Sequence, residues 1–336
     1  MAFTRQFGTG FECGTREING ASNMNHANMG VITTTPRTGT YCWRAYGISG
    51  GNYYTRWNVT GTPSKLMISA WIRINTATTA GMAYLGVTLS DGTKIGIQFD
   101  TRYWDAYVNG SKVADGTKPI WDYTRWHHVQ LYVYANDSGK VYTKIDGQAD
   151  ISYSGDTVPS TATDIDYVYF WADNKLVTYE WHIDDFTYGT ADSESDWPGD
   201  IRYDVLLPTA DTATQQWDMS TGSTAYSLVD EVAPSDTDNI YTGTNGEQSI
   251  HSLGDWTGTG KTPQWVNIWV RAKKDAADAS DLKIIDSDGS NTRVGSAVGL
   301  TTAYAHYLKV ITTNPDGSAL SDAGIDGLQV GVESVI

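Results

Sequence analysis

Apolar side chains recur along this chain at every second position, in runs too short for helices and rich in β-branched and aromatic residues. Residues 66–74 (Leu-Met-Ile-Ser-Ala-Trp-Ile-Arg-Ile), 129–134 (Val-Gln-Leu-Tyr-Val-Tyr), 167–171 (Tyr-Val-Tyr-Phe-Trp) and 264–270 (Gln-Trp-Val-Asn-Ile-Trp-Val) are the clearest. Turn signals punctuate them: Ser90-Asp91-Gly92, Val108-Asn109-Gly110, Asn136-Asp137-Ser138-Gly139, Asp288-Gly289 and Asn314-Pro315-Asp316-Gly317. The stretch with most helical propensity, 271–279, has no apolar stripe at i, i+3, i+4 and predicts a loop between strands, with at most one helical turn. The pattern predicts an all-β, antiparallel chain built as sandwiches or jelly rolls.

A chain of 336 residues is long enough for two such domains. Between them falls a polar, acidic stretch, Ala191-Asp192-Ser193-Glu194-Ser195-Asp196-Trp197-Pro198-Gly199, with the composition of a linker. The expected organisation is a first sandwich over 1–190, a linker over 191–199 and a second sandwich over 200–336. Charge divides at the same place. The first part carries 15 basic and 17 acidic residues, the rest 8 and 22. Both halves close on an Ile-Asp-x-apolar pattern, Ile183-Asp184-Asp185-Phe186 and Ile325-Asp326-Gly327-Leu328, which predicts a core strand at each end.

A net charge of −16 argues against nucleic acid as a partner, since phosphate neutralisation needs a basic face. It argues equally against an anionic membrane surface, and no run approaches the ~20 apolar residues of a membrane span. Residues 1–8 carry no apolar signal-peptide core, so the chain is expected to begin in a cytoplasm. Trp 13 and Tyr 21 dominate over Phe 6; such amphipathic rings suit half-buried sheet faces, interfaces and sugar-stacking platforms. Cys13 and Cys42 are too few for a disulfide scaffold or a zinc site, and are expected to be reduced and buried rather than paired.

Candidate chemistry is sparse. Asp164-Ile165-Asp166 precedes an aromatic strand but lacks the longer acidic run of sandwich glucanases, so paired-carboxylate hydrolysis is rejected. His127 and His128 alternate across a strand and cannot share one metal, one being expected to face solvent and the other a polar network. No Gly-x-Ser-x-Gly elbow and no Cys-x-x-Cys spacing occurs. Glu12 and Asp184, in opening and closing strands, are candidates for a calcium ion between them; the competing role for Asp184 is to accept hydrogen bonds from turn backbone. No catalytic residue, cofactor or enzymatic activity is expected.

The first half resembles a concanavalin A-like (laminin-G-like) jelly roll. The resemblance rests on Gly10-Phe11-Glu12, on residues 38–45 (Thr-Gly-Thr-Tyr-Cys-Trp-Arg-Ala) and on Trp126-His127-His128-Val129. It continues through the hairpin Lys144-Ile145-Asp146-Gly147 to the closing Ile183-Asp184-Asp185-Phe186. The second half is similar to a module of tailed-bacteriophage virion proteins, through residues 199–208, Gln216-Trp217, residues 234–241 and the terminal 324–333. The resemblance implies a non-enzymatic virion structural protein, assembled in the host cytoplasm. It would be a capsid decoration, head-fibre or minor tail component that binds major capsid or tail proteins and can self-associate. The alternative is an adhesin whose Trp and Tyr stack on host-surface glycans.

Overall fold

The computed structural model describes residues 3–12, 21–22, 30–47, 53–75, 81–174, 179–232, 234–258, 260–277 and 279–336. Two compact units result, the first running through Tyr203 and the second comprising Asp204–Ile336. Every sheet pairing is antiparallel, and the first unit is an all-β sandwich of jelly-roll type, as the alternation predicts.

Its front sheet orders Gln148–Gly155, Gly139–Ile145, His127–Tyr134, Lys65–Ile74, Tyr179–Thr190, Cys42–Gly47 and Gly30–Ile32, with Thr4–Thr9 also on Tyr179–Thr190. The back sheet orders Ser111–Ala114, Tyr103–Val108, Lys94–Asp100, Gly81–Leu89, Ile165–Asn174, Tyr53–Asn58 and Ala21–Ser22. Between them Trp43, Trp57, Trp104, Trp181, Phe170 and Phe186 are fully buried. Trp57 meets Phe170 edge-on at 5.1 Å and Phe186 at 4.9 Å. The central strand Lys65–Ile74 turns Leu66, Ile68, Ala70 and Ile72 into this core. Met67 and Ser69, on the opposite face, are buried as well, so the run reads as continuously apolar rather than alternating. Met67 is covered by Ala191 and Trp197: the acidic stretch lies along the outer face of the front sheet as a strap.

The second unit is a smaller sandwich. One sheet orders Pro208–Gln215, Gln248–Leu253, Gln329–Val335, Asp281–Ser287 and Thr292–Val294, and Val266–Ala272 pairs with Ala305–Ile311 in another. Ile268, Ile284, Ile311 and Leu328 form its core. Buried Asp286 is held there by Arg293 (2.6 Å) and Lys309 (2.6 Å). Residues 273–277 are a loop between strands, as expected. One expectation needs correction. Asp322–Asp326 is a short helix capped by Ser321, so Ile325-Asp326 ends a helix while Ile183-Asp184 lies in a strand, and the likeness of the closings fails there. Ser321 accepts from the Gly324 amide, and that cap outweighs the strand-like pattern.

Candidate functional site

The outer face of the front sheet carries polar and aromatic side chains from separate strands. Register sets Trp71 opposite His128, Ser69 opposite Gln130, and Gln130 opposite Lys144. Trp71, His128, Gln130 and Lys144, with Asp146 and Gly147 at a hairpin turn and Trp197, Gly199 and Asp200 from the strap, line a cleft of about 460 Å³. Its size falls within the range of small-ligand sites.

Each wall is fixed. Trp71 stacks on His128 (5.0 Å, 9° between planes), lies 3.7 Å from the Arg37 guanidinium and donates its indole N–H to Asp200 at 2.8 Å. Arg37 also donates to Asp200 at 3.1 Å and to Asp185. Burial lowers the pKa of His128, so its imidazole is neutral at physiological pH, and its Nε2 meets the Ser69 hydroxyl at 2.8 Å. Asp146 pairs with His127 Nδ1 at 2.8 Å and accepts the His128 amide at 2.8 Å. Burial works against ionisation of Asp146, but these two bonds outweigh it and hold its carboxyl below the usual range. Both histidines therefore sit in polar networks; neither is a free solvent-facing ring, because the turn carboxylate of Asp146 reaches back to the one expected outside.

Two donors remain without a protein acceptor. Gln130 is 3% exposed and its Nε2 has no hydrogen-bond partner. Lys144 is half-buried, its Nζ 5.0 Å from the Trp197 ring centroid, and among the described residues no carboxylate pairs with it.

Behind Arg37 lies a buried acidic pair. A β-bulge between Asp184 and Thr187, with Asp185 at φ 45°, turns Asp184 and Asp185 toward residues 37–38. Asp184 accepts the amides of Arg37 (2.8 Å), Thr38 (3.2 Å) and Asp185 (2.8 Å); Asp185 accepts from the Thr38 hydroxyl and the Tyr203 amide. Burial, reinforced by its neighbour Asp185, raises the Asp184 carboxyl to about 8. Glu12 accepts the amides of Thr40 (2.9 Å) and Tyr41 (3.3 Å) and fills the space beside Gly39, whose φ of +59° and missing Cβ both favour glycine. Glu12 and Asp184 thus spend their oxygens on backbone amides, the role that competed with calcium. Among the described residues no group of three or more His, Cys, Asp or Glu is placed to hold a metal ion. Cys42 is buried and free, and Cys13 lies outside the described residues.

Two other surfaces bear on function. On the back sheet's outer face Trp171 stacks on Tyr84 (4.9 Å), with Tyr107 edge-on at 6.4 Å and Lys94 lying 3.7 Å from the Trp171 ring centroid. These rings mostly satisfy one another. In the second unit Asp211, His251 and Ser249 form a line with 3.1 Å steps, but Ser249 is fully buried and its hydroxyl donates to Gln215, so no substrate reaches it. Asp164 and Asp166 line neither the cleft nor this cluster.

No family model matches the chain, and no curated protein matches it. Solved structures do. They include the alginate lyase Aly36B (11% identity, 51% of this chain and 86% of that one, TM-score 0.41). An endo-β-1,4-glucuronan lyase from the fungus Trichoderma reesei matches at 13% identity over 56% and 96%, TM-score 0.40. A carbohydrate esterase, vb_24B_21, from the Shiga toxin-encoding bacteriophage phi24B matches at 19% identity over 51% and 88%, TM-score 0.37. All three are glycan-acting proteins by name, one of phage origin. Against the expectation of a non-enzymatic chain, two of these similar structures are lyases by name. The physical reason is plain: that expectation rested on missing local motifs, whereas a sheet face assembles its groups from separate strands and leaves no motif in the sequence.

Proposed function

We propose that the first unit binds a glycan in the cleft over the front sheet. The observation that carries this is the meeting, in one concave site, of a half-buried indole (Trp197), a neutral imidazole (His128) and unspent donors (Gln130 Nε2 and Lys144 Nζ). Sugars present C–H faces that pack on aromatic rings and hydroxyls that bond to amides and carboxylates, so a site of this make-up suits them. Trp71 is held between Arg37 and His128 contacts and serves as wall, leaving Trp197 as the stacking ring. On a glycan array the intact chain is expected to bind a defined subset of oligosaccharides, and Trp197→Ala to abolish that signal while the melting curve stays within a few degrees. Unchanged array binding in that variant refutes this cleft as the site.

The setting we propose is the surface of a bacteriophage particle, with the chain attached to capsid or tail proteins; it is supported by the sequence resemblance. Co-sedimentation of the chain with purified particles is the expected outcome, and recovery of particles free of it overturns the setting without touching the cleft.

A further inference from the structure

We infer that the sugar taken by this cleft is an acidic one, a uronate whose carboxylate lies between Lys144 and Gln130; this rests on the glycan reading above. The inference follows from what the cleft's polar groups have already spent. Asp200 is satisfied by Arg37 and the Trp71 indole, and Asp146 by the His127 ring and the His128 amide. Two donors are unspent: Gln130 Nε2, buried with no partner, and the Lys144 ammonium, without a carboxylate among the described residues. A buried amide N–H without an acceptor costs on the order of 1–3 kcal/mol, which a ligand oxygen recovers on binding. Gln130 and Lys144 are directly opposed across neighbouring strands on one face, about 5 Å apart at the backbone. That spacing lets two donors meet the two oxygens of one planar carboxylate, one through a hydrogen bond and one through charge. A neutral sugar supplies acceptors too, but leaves the ammonium beside the Trp197 ring without a counter-charge.

The test is calorimetric titration of the full chain with a panel of tetrasaccharides of galacturonate, glucuronate, mannuronate and guluronate, each beside its carboxyl-reduced neutral counterpart, and with sodium acetate. At least one uronide is expected to bind ten-fold or more tightly than its reduced form, with an affinity that falls as salt rises. Lys144→Gln is expected to remove that ten-fold preference, and Lys144→Arg to restore most of it. Equal or tighter binding of the neutral counterparts overturns the acidic specificity while the glycan reading stands. Acetate displacing the uronide at equal concentration overturns the sugar part, marking a simple carboxylate site. Binding of neither series overturns both.

Discussion

Arg37 joins the cleft's wall to the buried Asp184–Asp185 pair through its ion pair with Asp185, and its removal has a calculable signature. Arg37 has 17% side-chain exposure and Asp185 none, so the ion pair is a largely desolvated one. Deleting one partner of such a pair costs about 3–5 kcal/mol; Arg37 retains some water contact, so about 3 kcal/mol is the better figure for Arg37→Met. The cation–π contact with Trp71 adds about 0.5–1 kcal/mol. At about 2–4 °C per kcal/mol for a unit of this size, the first unit's melting point should fall by roughly 7–16 °C where both carboxylates are charged.

That loss must depend on pH, and its sign is fixed. Burial raises the Asp184 carboxyl to about 8, so its protonated form favours the native state. This stabilisation is complete below the unfolded value near 4 and is lost as pH rises through about 8. Without Arg37 the pair holds its proton more tightly still, so the variant's deficit is smaller at pH 6 than at pH 9. Thermal melts followed by near-ultraviolet circular dichroism at both pH values measure it, with Asp185→Asn completing a double-mutant cycle. A deficit equal at pH 6 and 9, or below about 2 °C at pH 9, would show that Arg37 does not neutralise the pair.

Other perturbations separate the remaining claims. In a Cys13→Ser background, Cys42 is expected to resist a thiol reagent at pH 8 in the native protein and to react fully in 8 M urea, since burial pushes its pKa to about 12; rapid native labelling refutes the buried assignment. In the second unit, Arg293→Ala should destabilise by about 3 kcal/mol, read from urea denaturation, because Asp286 is fully buried and keeps only Lys309. A loss under 1 kcal/mol would show Lys309 sufficing alone.

The fold was legible because alternation is a local property. Residues 129–134 and 167–171 needed nothing beyond their own neighbours to read as strands, and the turns at Asn109-Gly110 and Asp146-Gly147 take the positive φ their residues favour. The cleft was not legible for the converse reason. Trp71, Gln130 and Lys144 are separated by 59 and 14 positions, and only the register of three strands makes them neighbours. One signal was present: residues 66–74 lack polar relief on the outward face at Met67, which marks a sheet face covered by something. The histidine pair carried half the answer, since opposite faces were read correctly but not that the Asp146 turn would draw His127 into a network.

The strap explains how composition misleads here. Residues 191–200 contain four carboxylates in ten positions and end in Pro-Gly, the make-up of a solvated connector. Yet Ala191 and Trp197 pack on Met67 and Tyr132, Glu194 pairs with Lys140 at 3.0 Å, and Asp200 takes the Trp71 and Arg37 donors. Two of its four carboxylates, Glu194 and Asp200, thus meet Lys140, Arg37 and the Trp71 indole. The same segment thereby supplies the stacking ring and one wall of the cleft, while Glu194 and Asp200 take Lys140 and Arg37. Lys144 is left over because the strap passes it with a ring rather than a carboxylate: Trp197 stands where an acid would have closed the pair. On that logic Trp197→Glu should do more than remove a ring. It should place an anion beside Lys144 and suppress uronide binding even where Trp197→Phe preserves it, a contrast measurable by the same titration. Equal loss in both variants would mean that ring shape, and not the unspent ammonium, governs the site.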